Sequence, residues 1–536
     1  MIAGELYDEA EVWENPAAED ATKRSPIPHN PLLAWTLTCR TFVEPGLDVL
    51  WRSLKSPYPI GFAFQPNVQP VFGTDDLYVE TDDEDENGED QGTNKDFLLG
   101  FSAVPSPTDW NRFTSRYARR VRAIEYWENP RLKYGISPRF MREIASYRPP
   151  GNLLPNLRES EWCDNCKQTF PFITLFLTPA LTFIRVSFQS NRNATRFFDL
   201  MHVFAPALKI VIFECDSFTP TPVMRAAFAR TLSSWKSLAT FYILAKPEIL
   251  PMSAENILTL SQCDKLQDLE VPLESDLPPT IGTFFTQAGY FPSLQDLVIR
   301  LTENHSLSLP FTSRMVKAIR SQNFRSFDLE IKSPCTPAEI QDLLCAITTH
   351  KRLQRLFLKA SSPSMVNEGI DMSDELMEPL LQLTDLERFV IEEFPLWMTT
   401  ELLGKMARAW SKISKLRCRR HSWWGTTPPA STLNITDLEI LTKLCPKLEE
   451  LSIPFLSTLD GDTTLGPETL DSSLTVQRDR DVALELEVDQ CNVVNQISAA
   501  RYLLRLYPRL EIIQHEGEWE ETKELINELR GNMDIS

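Results

Sequence analysis

Glycine is scarce, at 18 of 536 residues. No Gly-x-Gly occurs, which excludes the dinucleotide-binding fingerprint. The Gly404-Lys405 pair has no glycine five residues before Gly404, which excludes a phosphate-binding P-loop. There is no Gly-x-Ser-x-Gly elbow and no His-Glu-x-x-His, and the six histidines are scattered. No motif points to an enzyme, so no residue is assigned to catalysis, a cofactor or a metal. Long apolar runs are also lacking. The uncharged stretch from Gln168 to Ile184 holds Pro171 and Pro179 and is short for a membrane span. The first residues, MIAGELYDEAEVWENP, are acidic and carry no apolar core of a signal peptide. The ten cysteines are dispersed, which suits reduced thiols in the cytoplasm or nucleus, and the lone Cys163-x-x-Cys166 lacks the second pair that zinc needs. Positive charge is in deficit: 54 Lys and Arg against 74 Asp and Glu give −20. That balance disfavours non-specific binding to nucleic acid or an anionic membrane.

What is present is a repeat. An apolar residue is followed by a second three places on and a third two places after that. The pattern begins at Val121 (VRAIEY), recurs at sites such as Leu208 (LKIVIF), Leu266 (LQDLEV) and Leu353 (LQRLFL), and ends at Leu510 (LEIIQH). There are fourteen matches, so the mean interval is (510 − 121)/13, about thirty residues; Val121, Leu157 and Ala483 fit least well. Amphipathic segments such as 338–349 and 400–410 lie between matches, with Thr or Ser at several of their starts. The second and third apolar residues are two apart, so on a strand they share a face.

The pattern is similar to the Leu-x-x-Leu-x-Leu core of a leucine-rich repeat. The resemblance implies an α/β solenoid, curved, with parallel strands on the concave face and helices outside. The residue between the second and third apolar positions then faces outward. This gives Ile212, Tyr242, Val298, Phe357 and Val390 at an apolar centre, with charged residues such as Glu125, Arg417 and Glu487 towards the ends and Gln514 last. An apolar outward row is explained either by strand propensity or by a groove for a protein partner. The groove reading makes Ile212, Tyr242, Val298, Phe357, Val390 and Arg417 partner-binding. Its apolar part spans roughly 29 Å at about 4.8 Å per strand. Arg417 also belongs to a basic cluster with Lys415, Arg419 and Arg420, followed by His421, Trp423 and Trp424. Arg112, Arg116, Arg119 and Arg120 fall at helical spacing, as either a solvated face or a phosphate ridge.

Residues 30–54, NPLLAWTLTCRTFVEPGLDVLWRSL, resemble the C-terminal half of an F-box: Leu32-Leu33, Leu37 and Cys39-Arg40, then Leu50-Trp51 and Leu54. Pro45 is expected to open a second short helix. The family's first helix has no counterpart in residues 1–29, so the F-box is incomplete. With DWNRFTSRYARRVRAIE (109–125) and the repeats, the chain resembles fungal F-box proteins carrying irregular leucine-rich repeats. The resemblance implies a substrate-recognition subunit of an SCF cullin-RING ubiquitin ligase. Leu32, Leu33, Leu37 and Trp51 would hold its small adaptor protein, and the concave face would hold a protein substrate. The alternative is a scaffold with the same solenoid and no ligase contact. The expected organisation is a divergent N-terminus (1–29), partial F-box helices (30–56), a linker (57–108), the solenoid (109–520) and a C-terminal helix and tail (521–536). The linker contains an acidic, disordered loop (74–95), either inert or a docking segment for a basic partner; ten Asp and Glu lie within 75–90.

Overall fold

The computed structural model of the chain describes residues 39–71, 97–127, 134–136, 138–163, 169–188, 190–215, 219–245, 250, 252–273, 285, 289–301, 308–332, 335–361, 374–394, 398–419, 433–453, 483–488, 496–514 and 519–533. Leu32, Leu33, Leu37, the acidic loop 74–95, Cys166 and the Arg420–Trp424 end of the basic cluster lie outside the described residues. The fold is α/β, and the chain forms two compact units, Met1–Leu250 and Pro251–Ser536.

In the first unit, strands β1 (Ser53–Leu54), β2 (Val68–Val71), β3 (Phe97–Phe101), β4 (Ala123–Trp127), β5 (Tyr134–Ile136), β6 (Glu159–Cys163), β7 (Phe183–Phe188), β8 (Ile210–Cys215) and β9 (Thr240–Ala245) form two sheets. The main sheet runs β1-β4-β6-β7-β8-β9, every pair parallel. β2, β3 and β5 make a small side sheet with one antiparallel pair. In the second unit, β10 (Asp268–Leu273), β11 (Asp296–Leu301), β12 (Ser326–Ile331), β13 (Arg355–Ala360), β14 (Arg388–Glu392), β15 (Lys415–Arg419), β16 (Glu450–Ser452), β17 (Leu484–Val488) and β18 (Leu510–Gln514) pair in chain order, all parallel. Helices between the strands pack on their neighbours, as Ser308–Ala318 does on Pro337–Ile347.

The apolar repeat dictates this stacking. Leu269, Leu297, Phe327, Leu356, Phe389, Leu416, Leu451 and Leu486 stand side by side in register and are all buried. Ile184, Val211 and Phe241 form the same ladder in the first unit. The backbone repeats as well. Before most strands of the parallel sheet, two successive N–H groups converge on one carbonyl of the previous repeat, as Gln295 and Asp296 do on Gln267 and as Gln354 and Arg355 do on Arg325. Helix starts use the expected chemistry: Thr336 and Glu339 form a capping box, and Thr399 accepts from the Leu402 N–H.

Several details correct the sequence reading. Val121 and Leu157 are fully buried and belong to genuine strand repeats. Ala483 is exposed, and the ladder there begins at Leu484. In the last repeat Ile512 takes the ladder position beside Leu486, so Ile513, not Gln514, is the register mate of Glu487. The stretch 57–108 is more than a linker. Its described parts carry helices Tyr58–Phe62 and Pro107–Phe113 and a core in which Phe64 meets Phe101, Trp110 and Phe113. Pro45 opens no helix; it lies inside one helix, Arg40–Leu50. The N–H it lacks would have served the carbonyl of Thr41, which is solvent-exposed and open to water.

Candidate functional site

One side of each main sheet is closed by the apolar ladder, and the alternate side chains form the open face. In the second unit its central row reads, in register, Glu270, Val298, Asp328, Phe357, Val390, Arg417, Ser452 and Glu487. The expected residues Val298, Phe357, Val390 and Arg417 therefore do share one row. Two of them differ from expectation. Val390 is buried, so it lies beneath the surface between Phe357 and Arg417 and offers a partner little area. Arg417 is committed within the chain, 3.4 Å from Glu450 and 3.7 Å from Glu487. Arg419 also pairs with Glu487, and Lys415 with Glu450. Glu487 is almost fully buried, so these arginines neutralise a carboxylate that water cannot solvate.

Asp328 stands at the centre, with Val298 on one side and Phe357 on the other, all three half-buried. Several other acids of this face have partners. Glu270 pairs with Arg300, Asp296 with Arg325 and Arg355, and Glu330 accepts from the Ser361 hydroxyl at 3.0 Å. Glu392 lies in register between Lys359 and Arg419. Among the described residues, the Asp328 carboxylate has no ion pair or hydrogen bond. Burial pushes its pKa up to about 7; Arg300 opposes the shift, while Glu270, Glu330 and Glu392 add to it. Lys359, on the adjacent strand, is 3.6 Å from Glu393 and already engaged.

This carboxylate has a consequence for stability. Its folded pKa lies above the ordinary value of 3.8, so its favourable contribution is full below about pH 4 and is lost as pH rises through 7. The Asp328→Asn chain is therefore expected to be more stable than the wild type at pH 8, by about 1 kcal/mol after allowance for solvent screening. The advantage should vanish near pH 4. Chemical denaturation at the two pH values checks this; equal differences at both would contradict it.

The first unit has its own open face. Ile212 and Tyr242 are register mates, half-buried beside Phe183, Ile210 and Leu244. Next to them Arg185 pairs with Glu161 and Glu214, and Lys55 with Glu125. Cys163 donates to Glu214 at 3.7 Å; burial and the nearby Glu214 push its thiol up to about 12, so it is a poor nucleophile. Among the described residues no group of His, Cys, Asp and Glu could hold a metal ion, and no helix is long and apolar enough to cross a membrane.

The expected adaptor residue Trp51 stacks on Tyr117 with ring centroids 4.5 Å apart. Arg120 pairs with Glu44 and Asp48 of the Arg40–Leu50 helix, and Arg112 donates to the carbonyls of Ala63 and Gln65. Two of the four arginines at 112–120 are thus consumed in fastening the N-terminal segment, so the phosphate-ridge reading does not hold for Arg112 and Arg120. Ser53–Leu54 adds an edge strand to the sheet, which sequence reading missed because two residues carry no periodicity. Asp328 itself was visible in the sequence as the one acid between the outward Val298 and Phe357. Compared with protein-family models and with curated proteins, the chain matches none.

Proposed function

We propose that this chain is a non-catalytic recognition subunit: a leucine-rich-repeat solenoid whose open sheet face binds a segment of a protein substrate, with an F-box-like N-terminus that delivers it to an SCF-type ubiquitin ligase. The observation that carries the reading is the central row of the second unit. There, half-exposed Val298 and Phe357 flank a carboxylate that, among the described residues, has no ion pair, while Glu270 and Asp296 nearby are paired. Apolar surface around a polar anchor is the composition of a recognition site. Such a subunit needs no catalytic residues, because holding the substrate beside the ligase raises its effective concentration.

The adaptor half of the reading is supported by Leu32, Leu33, Leu37 and Trp51. The purified adaptor is expected to be retained weakly by the full-length chain and lost with Leu33→Glu plus Leu37→Glu. Point changes are the right control, because Leu54 is buried and paired with Ile124, so removing residues 1–56 would damage the sheet. Retention by the wild type no better than by the variant would favour the second reading, a scaffold without ligase contact. One observation already leans that way: the Trp51 ring and the Glu44 and Asp48 carboxylates are spent on Tyr117 and Arg120, so the helix serves as a cap at the sheet edge.

A further inference from the structure

We infer that the open face of the second unit selects a partner segment bearing one lysine or arginine flanked by apolar residues, with the Asp328 carboxylate as the seat of the cation. This rests on the recognition reading above and names the chemistry of what is recognised. The argument is one of charge complementarity. The cations around Asp328 are engaged elsewhere: Arg300 with Glu270, Arg355 with Asp296, Lys359 with Glu393, and Arg417 and Arg419 with Glu487. Among the described residues none forms an ion pair with Asp328, whose register mates are a valine and a phenylalanine; Arg300 acts on it electrostatically without forming one. A carboxylate held between apolar side chains is poorly solvated, so a cation that reaches it gains more than it would at an open surface.

The neighbours suit the rest of such a side chain. The aliphatic stem of Lys or Arg packs on apolar surface while its head meets the acid. The Phe357 ring, one strand away, is within reach of the same cation for a cation–π contact. From Val298 to Phe357 is two strand spacings, roughly 10 Å, so about three extended residues cross the row. The segment thus needs one basic residue with an apolar residue on either side. Engaging the cation favours the ionised carboxylate, so binding strengthens as pH rises through 7.

The test uses the full-length chain as wild type, Asp328→Asn and Phe357→Ala, each shown folded by circular dichroism, and a random linear peptide display library as the probe. Wild type is expected to enrich peptides with Lys or Arg at one position between apolar residues. A selected peptide should bind the Asp328→Asn chain about tenfold more weakly. Its affinity for wild type should rise about tenfold from pH 6 to 8, and its affinity for the variant should stay flat. If Asp328→Asn enriches the same basic peptides with undiminished affinity while Phe357→Ala loses them, the face binds partners and the cation inference alone is overturned. If Phe357→Ala recovers the same peptides as wild type, or wild type enriches none, the recognition face and the inference fail together.

Discussion

Replacing Leu356 by alanine is expected to lower the unfolding free energy of the second unit by about 2–5 kcal/mol, whereas Phe357→Ala, one residue on, should cost less than about 1 kcal/mol. The contrast follows from strand geometry. Leu356 is 1% exposed and stands in the ladder between Phe327 and Phe389, both buried. Removing its branched side chain opens a cavity against two aromatic rings on neighbouring strands, and a sheet fixed by regular hydrogen bonds collapses little to fill it. Phe357 points to the other face and remains half-exposed. Denaturant unfolding of the two variants measures the difference; similar losses would mean that the repeat frame has been assigned to the wrong face.

Phe357→Ala is expected to have its large effect elsewhere, weakening partner binding by tenfold to a hundredfold. Aromatic side chains at the centre of an interface carry a disproportionate share of the binding energy. Here the ring lies beside the only central acid that the chain leaves unmatched, among the described residues. Val390→Ala should weaken binding less, because that side chain is already buried within the chain. Tyr242→Ala probes the open face of the first unit, where Tyr242 adjoins Ile212. Titration calorimetry with a selected peptide checks all three. A Phe357→Ala affinity within a factor of two of wild type would remove the ring from the interface.

The ladder was legible because burial enforces it: each repeat must present apolar groups at the same two strand positions, and a third closes the turn before them. A fourth buried position, three residues ahead of each repeat's first apolar residue, was not. It is filled by Trp235, Cys263, Phe291, Trp410 and Tyr507, and by the half-buried His350, in different repeats, too varied in chemistry to register as a pattern. The Trp410 indole donates to the Leu380 carbonyl at 3.3 Å, and the His350 ring bonds the Val316 carbonyl at 2.8 Å. The position accepts residues as different as Trp, Phe and Cys. In the last repeat, Ile512 and Ile513 are adjacent and equally apolar, so periodicity alone could not choose the inward one. The aromatic core of Phe64, Phe101, Trp110 and Phe113 was hidden because its members come from separate, irregularly spaced segments. In the site, outward positions could be counted from the sequence, but not their fate. The burial of Val390 and the engagement of Arg417 by Glu450 and Glu487 depend on strands distant in sequence.

The most direct measurement places a photo-crosslinking side chain on the face itself. Phe357→p-benzoylphenylalanine keeps an aromatic ring at the centre of the row, and Ala338→p-benzoylphenylalanine puts the same group on the exposed surface of the Pro337–Ile347 helix. After irradiation in cells, position 357 should yield one discrete adduct that a selected basic peptide competes away, and position 338 should yield none. An adduct at 338 with nothing at 357, or a peptide-insensitive smear at both, would contradict recognition on the open sheet face.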